Sequence, residues 1–295
     1  MSRSVYRSAS PKERRMWERP LPILAMLLAV ACSTPSPASP DTNPVGHPPA
    51  SKVGPVDIDW EAIDTPLQLS AVVVASYPHD PQAWTQGLVW YDGHLFESVG
   101  LRGRSDLRRV ALSSGQILER QPLAPHLFGE GLALDGERGR LVQLTFKEET
   151  ALVWDLDTFR QVETLPFSGE GWGLCFDGQR FILSQGHRRV SLRDRDTFAE
   201  IGQTTLQHPA PLPLNALECI EDRVVANIWG SDILVIFDPD TGRVLAWVHT
   251  APLLSPGEAK IANILNGIAF NPERGTLLLT GKWWPRMFEV KLAYR

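Results

Sequence analysis

Two stretches of the chain set a glutamate between glycines just ahead of an apolar, strand-like run: "FGEGLALDG" from Phe128 to Gly136 and "SGEGWGLCFDG" from Ser168 to Gly178. A carboxylate at such a place can carry a proton if it faces an apolar enclosure, because loss of water raises its pKa toward neutrality. The flanking glycines permit backbone torsions and close approaches that other residues forbid. Glu130 and Glu170 compete for the proton-carrying role, and one of them could simply accept backbone N–H bonds at a turn. Lys282 lies in "TGKWWP", hemmed in by bulky neighbours that argue against a freely solvated amine. "GEGWG" also has the outline of a dinucleotide-binding glycine loop, but no helix follows it. The seven histidines are scattered, without an HxH or HExxH pair, so neither a metal nor a cofactor is expected. His79 in "SYPHDP" reads as structural.

What could gather these residues is a repeat. From Leu67 onward short alternating runs are separated by Gly, Asp and Pro turns, which predicts an all-β domain over 67–295. Small-aliphatic pairs opening a strand recur at Gly87-Leu88, Gly131-Leu132, Gly173-Leu174, Ala216-Leu217 and Gly267-Ile268, at intervals of 44, 42, 43 and 51 residues. Units of this length, each with room for about four strands, match propeller blades. The last unit ends one strand short, and "LQLSAVVVASYPH" precedes the first unit without a partner. A five-bladed β-propeller, its N-terminal strand completing the C-terminal blade, accounts for both ends and leaves no open seam. A β-sandwich explains neither.

In a propeller every innermost strand runs the same way, so the residues ahead of these strands share one rim. Here they are Gln86, Glu130, Trp172, Asn215 and Asn266. The returning second strands end at that rim with Glu97-Ser98, Thr145-Phe146, Ser184-Gln185, Asn227-Ile228-Trp229 and Thr280-Gly281-Lys282-Trp283, and Trp84 lies two residues before Gln86. Apolar walls with a few fixed polar groups describe a small-molecule site. Asn266, Ser98 and Thr280 are read as ties between blades, and Trp60, Trp154 and Trp247 as core.

The formal net charge is −5. Residues 1–31 carry six basic side chains against Glu13 and Glu18, so the remainder is strongly acidic and nucleic acid is excluded as a partner. Residues 1–32 resemble a bacterial lipoprotein signal: Arg14, Arg15 and Arg19, then "LPILAMLLAVAC", with Cys32 as the residue to be lipidated. Ordinary secretory cleavage is the alternative. Residues 33–56, rich in Pro and Ser, cannot bury enough surface to offset their ordering entropy and read as a disordered tether. The chain is therefore expected to be exported to the periplasm, or held at the envelope through Cys32, as a monomer. Nothing in the spacing of Cys175 and Cys219 demands a disulfide, and two buried thiols are the expectation.

In order, "YPHDPQAWTQGL", "FESVGLRGRSDLRRV", "FGEGLAL", "QLTF", "GEGWGL", "NALE", "ANIW", "LNGIAF" and "TGKWWP" resemble the motifs of the plant-type glutamine cyclotransferases, from about Ala75 to Leu292. The resemblance implies a metal-independent propeller enzyme that converts N-terminal glutamine of peptides or proteins to pyroglutamate with release of ammonia. It places the proton carrier on Glu130, polar contacts to substrate on Gln86, Asn215 and Lys282, and the aromatic pocket on Trp84, Phe128, Phe146, Trp172 and Trp229. Trp84 replaces the family's usual Phe and Phe146 its usual Trp; Ala216 stands for a common Glu, and Gln185 for a common Asp. The competing reading is a non-catalytic envelope propeller that binds a ligand or partner protein.

Overall fold

The computed structural model describes residues 58–250 and 252–295. The expected signal segment 1–32, Cys32 and the tether 33–56 lie outside the described residues. β1 (Leu67–Pro78) is followed by three four-stranded meanders. The first comprises β2 (Thr85–Tyr91), β3 (His94–Val99), β4 (Asp106–Ala111) and β5 (Gln116–Pro122). The second is β6 (Gly129–Asp135), β7 (Arg140–Thr145), β8 (Thr150–Asp155) and β9 (Gln161–Pro166). The third is β10 (Gly173–Phe176), β11 (Arg180–Ser184), β12 (Arg189–Asp194) and β13 (Glu200–Thr205). The remaining strands are β14 (Leu214–Ile220), β15 (Arg223–Ile228), β16 (Ile233–Phe237), β17 (Val244–His249), β18 (Leu265–Asn271), β19 (Thr276–Gly281) and β20 (Arg286–Tyr294). They join β1 in an eight-stranded sheet of order β14-β15-β16-β17-β1-β20-β19-β18. Among the described residues two short 3-10 turns, Gly136–Arg138 and Glu258–Lys260, interrupt the strands.

The orphan strand found the partner expected of it. β1 pairs antiparallel with β20, from Leu69 opposite Tyr294 to Pro78 opposite Arg286. A short parallel pairing of Leu67–Ser70 with Ala246–His249 fuses two four-stranded meanders into the larger sheet. The first strands abut in a closed sequence, β2 on β6, β6 on β10, β10 on β14, β14 on β18 and β18 on β2. This is the arrangement of a propeller-like fold.

Close approach of a neighbouring backbone explains the glycine at the head of the first three repeats. A Cβ on Gly131 would lie 2.6 Å from the amide nitrogen of Leu174, and one on Gly173 would lie 1.9 Å from the carbonyl oxygen of Asn215. The aliphatic that follows packs between layers: Leu132, Leu174 and Leu217 each lie in an apolar layer with residues of the adjacent sheet, and Ile268 in one with residues of β14–β17, the other half of its own eight-stranded sheet. Phe181, Phe198 and Leu174 form one such layer and are fully buried; truncating one of these phenylalanines to Ala would cost about 3–5 kcal/mol. Tight turns close the meanders, as at Asp92-Gly93, where both residues have positive φ, the requirement of a type I′ hairpin.

One expectation is overturned. Cys175 and Cys219 form a disulfide, with their Cα atoms 5.3 Å apart. They sit on β10 and β14, adjacent first strands, and the separation of 44 residues is one repeat. The repeat brings the thiols together, a consequence invisible when each cysteine is considered alone.

Candidate active site

The rim residues stand where their strands leave the ladder. Register with the second strand slips between Thr85 and Gly87, Gly129 and Leu132, Leu214 and Leu217, and Leu265 and Ile268. Gln86, Glu130, Asn215 and Asn266 therefore occupy β-bulges, which free a residue from pairing and re-aim its side chain. Trp172 lies just ahead of β10; its N–H donates to Ser184 O (3.1 Å) and its carbonyl accepts from Gly131 N (3.0 Å).

Glu130 is buried, with 5% of its surface exposed. Its Oε1 accepts one hydrogen bond from Gln86 Nε2 at 2.8 Å. Burial pushes its pKa well above the usual carboxylate range; the positive charge of Lys282 pulls it back in part, and Glu170 and Glu148 push it further up. Lys282 is as buried as Glu130 and its ammonium lies 5.1 Å from the centroid of the Trp84 ring. The loop after β19 thus brings the cation within electrostatic reach of the carboxylate.

Aromatic side chains form the wall. Phe128 and Phe146 have centroids 5.7 Å apart, Phe146 and Trp172 6.3 Å, and Trp172 and Trp229 6.4 Å. Trp84 meets Trp283 edge to face at 4.7 Å. Gly100 joins the two groups, since a Cβ there would strike the Phe128 ring at 2.4 Å and Trp84 at 3.0 Å. Trp229, 41% exposed, marks the open end.

The two glutamates of the Gly-Glu-Gly stretches separate here. Glu170 is half-buried, accepts the Trp172 indole N–H at 3.0 Å and pairs with Lys147 at 3.1 Å. It accepts these side-chain donors in place of the backbone bonds that one glutamate was allowed, and it fastens the wall. The floor is polar and incompletely satisfied: among the described residues, Asn215 Oδ1, Asn227 Nδ2 and Asn266 Oδ1 are buried without a partner. Such groups are rare in folded proteins, and a polar guest would supply what they lack. No group of three or more His, Cys, Asp or Glu side chains among the described residues is placed to hold a metal ion.

Ser98 ties two sheets as expected, accepting from Gln143 at 2.8 Å, whereas the Thr280 hydroxyl donates to Arg286 O at 2.9 Å on the next strand of its own sheet and is no tie between blades. His79 is structural too, bonded to Trp284 O (2.7 Å) and Glu97 (3.0 Å). Asn266 is more than a tie, because its Nδ2 also donates to Gln86 Oε1 at 3.1 Å. Sequence reasoning gave no role to Trp283, Glu148 or Glu218. The repeat places Trp283 on the rim, beside Lys282, but gives it no part in the aromatic wall. Glu148, paired with Arg102, reaches Glu130 through its charge, from a loop with no repeat signature. Glu218, in the "NALE" stretch, accepts Phe270 N–H at 2.9 Å, and burial raises its pKa to about 8; it lies three residues beyond Asn215 along β14, away from the rim.

Three comparisons bear on this arrangement. A family model described as glutamine cyclotransferase matches residues 52–292. A curated protein of Arabidopsis thaliana, glutaminyl-peptide cyclotransferase, is 37% identical over 231 residues, covering 75% of this chain and 70% of that protein. The crystal structure of Myxococcus xanthus glutaminyl cyclase superposes with a TM-score of 0.71 at 36% identity, covering 78% of this chain and 100% of that one.

Proposed function

The chain belongs to the glutamine cyclotransferase family, and from that premise we propose that it cyclises N-terminal glutamine of peptides and proteins to pyroglutamate, releasing ammonia, with Glu130 as the proton carrier. The observation that carries this reading is a buried carboxylate that accepts from Gln86 among the described residues, held beside a buried lysine and an aromatic wall.

The substrate's own α-amine attacks its γ-amide carbonyl, so the enzyme supplies no nucleophile. The α-ammonium must first lose a proton, and the departing nitrogen must gain one. Glu130 does both: ionised, it takes the proton from the amine, and protonated, it hands the proton to the leaving group. Its raised pKa suits both halves, since proton transfer is best served near the working pH and contributes about 10²–10⁴-fold. Lys282 faces the oxygen that becomes negative in the tetrahedral intermediate; a donor placed there is worth about 3 kcal/mol. Gln86 and Asn215 hold the amide and amine ends. Trp84, Phe128, Phe146, Trp172 and Trp229 fold the side chain into the ring-closing conformer and exclude the water that would hydrolyse it.

The same reading counts each first strand in the closed sequence as the head of one blade, so the eight-stranded sheet is two blades and the propeller has five. It requires no metal or cofactor. It has the protein exported as a monomer, either to the periplasm or held at the envelope through a lipid on Cys32. The test offers a Gln-initiated peptide, with and without chelator, and follows released ammonia together with the loss of ammonia from the peptide mass. Turnover that survives chelation supports the reading. No turnover on any such peptide would favour the non-catalytic envelope propeller, and turnover abolished by chelator would reassign the chemistry to a metal.

A further inference from the structure

Hydrogen-bond polarity at the floor of the site is fixed from outside it. Asn266 Nδ2 donates at 3.0 Å to the carbonyl oxygen of Thr85, an acceptor that cannot be anything else. The amide group of Asn266 therefore turns its NH₂ toward β2. That same NH₂ lies 3.1 Å from the Gln86 side-chain amide, so the Gln86 atom facing it must be the carbonyl oxygen. The NH₂ of Gln86 is left to face Glu130 Oε1 at 2.8 Å. All three side chains are buried, Asn266 completely, so water does not compete for these bonds.

We propose that Asn266 is a positioning residue: anchored on the Thr85 carbonyl, it dictates which end of the Gln86 amide meets Glu130. With the N–H end inward, Gln86 favours the ionised carboxylate that can take a proton from the α-ammonium. With the amide reversed, its carbonyl would face Glu130 and favour the protonated acid. Asn266 acts through Gln86 and need not touch the reacting atoms. Its place at the bulge of β18 matches the place of Gln86 at the bulge of β2, so the fold delivers the two amides end to end.

The groups charged toward Glu130 are Lys282 after β19, Glu148 after β7 and Glu170 ahead of β10, and none is altered by changing Asn266. Glu97 on β3 is turned to His79 and Thr85. Only the kinetic arm of the test rests on the proposed reaction. The direct arm is a carboxyl ¹³C titration of Glu130 in the full chain, assigned with Glu130→Gln. Asn266→Leu removes the anchor at nearly constant volume, and Asn266→Ala removes it without adding a charge near Glu130. Each is expected to move the Glu130 titration upward by about one pH unit, tenfold in its ionisation constant. In a Gln86→Leu background, Asn266→Leu should shift it no further. In the unaltered protein, the Gln86 amide protons should follow the Glu130 titration, a reading that needs no variant to fold. The acid limb of kcat/KM should move with the titration.

An unchanged titration, a shift that persists without Gln86, or Gln86 protons indifferent to Glu130 would overturn the proposal. A wild-type protein without turnover would remove the reaction and leave the titration to decide the relay.

Discussion

Thr85 and Gln86 are neighbours on β2, and their side chains lead to two buried carboxylates of opposite character. Thr85 Oγ1 donates to Glu97 at 2.7 Å, and Gln86 Nε2 donates to Glu130 at 2.8 Å. Glu97 is 1% exposed and also meets His79 Nε2 at 3.0 Å. Because His79 Nδ1 faces the Trp284 carbonyl at 2.7 Å, it donates there, and Nε2 can donate to Glu97 only when the ring is a cation. Burial works to raise the pKa of Glu97, yet His79 and Arg108 outweigh it and hold the group below its usual range. Around Glu130 the balance reverses, and burial wins over a single lysine. Depth alone does not decide the state of a buried acid; the number of donors the protein itself supplies does. A carboxylate met by several donors and cations is a fastener, and one met by a single donor among the described residues keeps capacity for a guest.

Exchanging each acid for its amide separates the two regions most sharply. Glu130→Gln should lower kcat by about 10²–10⁴-fold with a melting temperature at or above that of the parent, because a buried charge without a full set of partners is removed. Glu97→Gln should instead strand the His79 cation and destabilise the fold by about 3–5 kcal/mol, read from denaturant midpoints, with kcat/KM at low temperature falling far less. His79 adds a pH signature. Burial opposes its protonation, but Glu97 raises its pKa above the ordinary value. Its contribution to stability is thus complete below about pH 6.5 and declines as pH climbs through the raised folded pKa; His79→Asn should abolish that decline.

The partly satisfied region was also the more legible one in the sequence. The small-aliphatic pair at each strand head is a one-dimensional trace of first strands in contact, so it located the rim, and with it Gln86, Glu130, Trp172 and Asn215. The family resemblance added Phe128, which precedes the repeat position and leaves no trace in the spacing. Pairwise relations were not legible. The Cys175–Cys219 disulfide, the Asn266–Gln86 contact and the His79–Glu97 pair each join residues of different sheets or segments, and their partners become neighbours only once the ring closes. A third-to-fourth-strand turn signal also went unread: Asp155, Asp194 and Asp238 each accept from the backbone N–H and hydroxyl of a Thr three residues on. "DLDTF", "DRDTF" and "DPDTG" would have fixed those turns to the residue.

Lys282 tests whether Glu130 is held back from full protonation by one charge. Lys282→Met should cost about 10²–10³-fold in kcat if the ammonium faces the developing oxyanion. It should also raise the acid limb of the pH–rate profile, because the influence that lowers the Glu130 pKa is removed. A loss of rate without movement of the limb would mean that the two groups act independently, and the contrast with Glu97 would then rest on burial alone.

The smallest effects are expected on β2 itself, where one residue separates the two regions. Thr85→Val keeps the shape and the backbone carbonyl that anchors Asn266 but removes the hydroxyl bond to Glu97. A bond to a charged group is worth about 1.5 kcal/mol or somewhat more, and Glu97 retains His79 and Arg108, so the unfolding free energy read from denaturant titration should fall by about that amount while kcat/KM stays within about twofold of the parent, well under 1 kcal/mol of barrier. Gln86→Leu, one position on, should do the reverse and leave the unfolding free energy nearly intact while it shifts the acid limb upward. If Thr85→Val moved the acid limb as well, the two carboxylates would be coupled through the strand, and the fastener would have to be counted as part of the site.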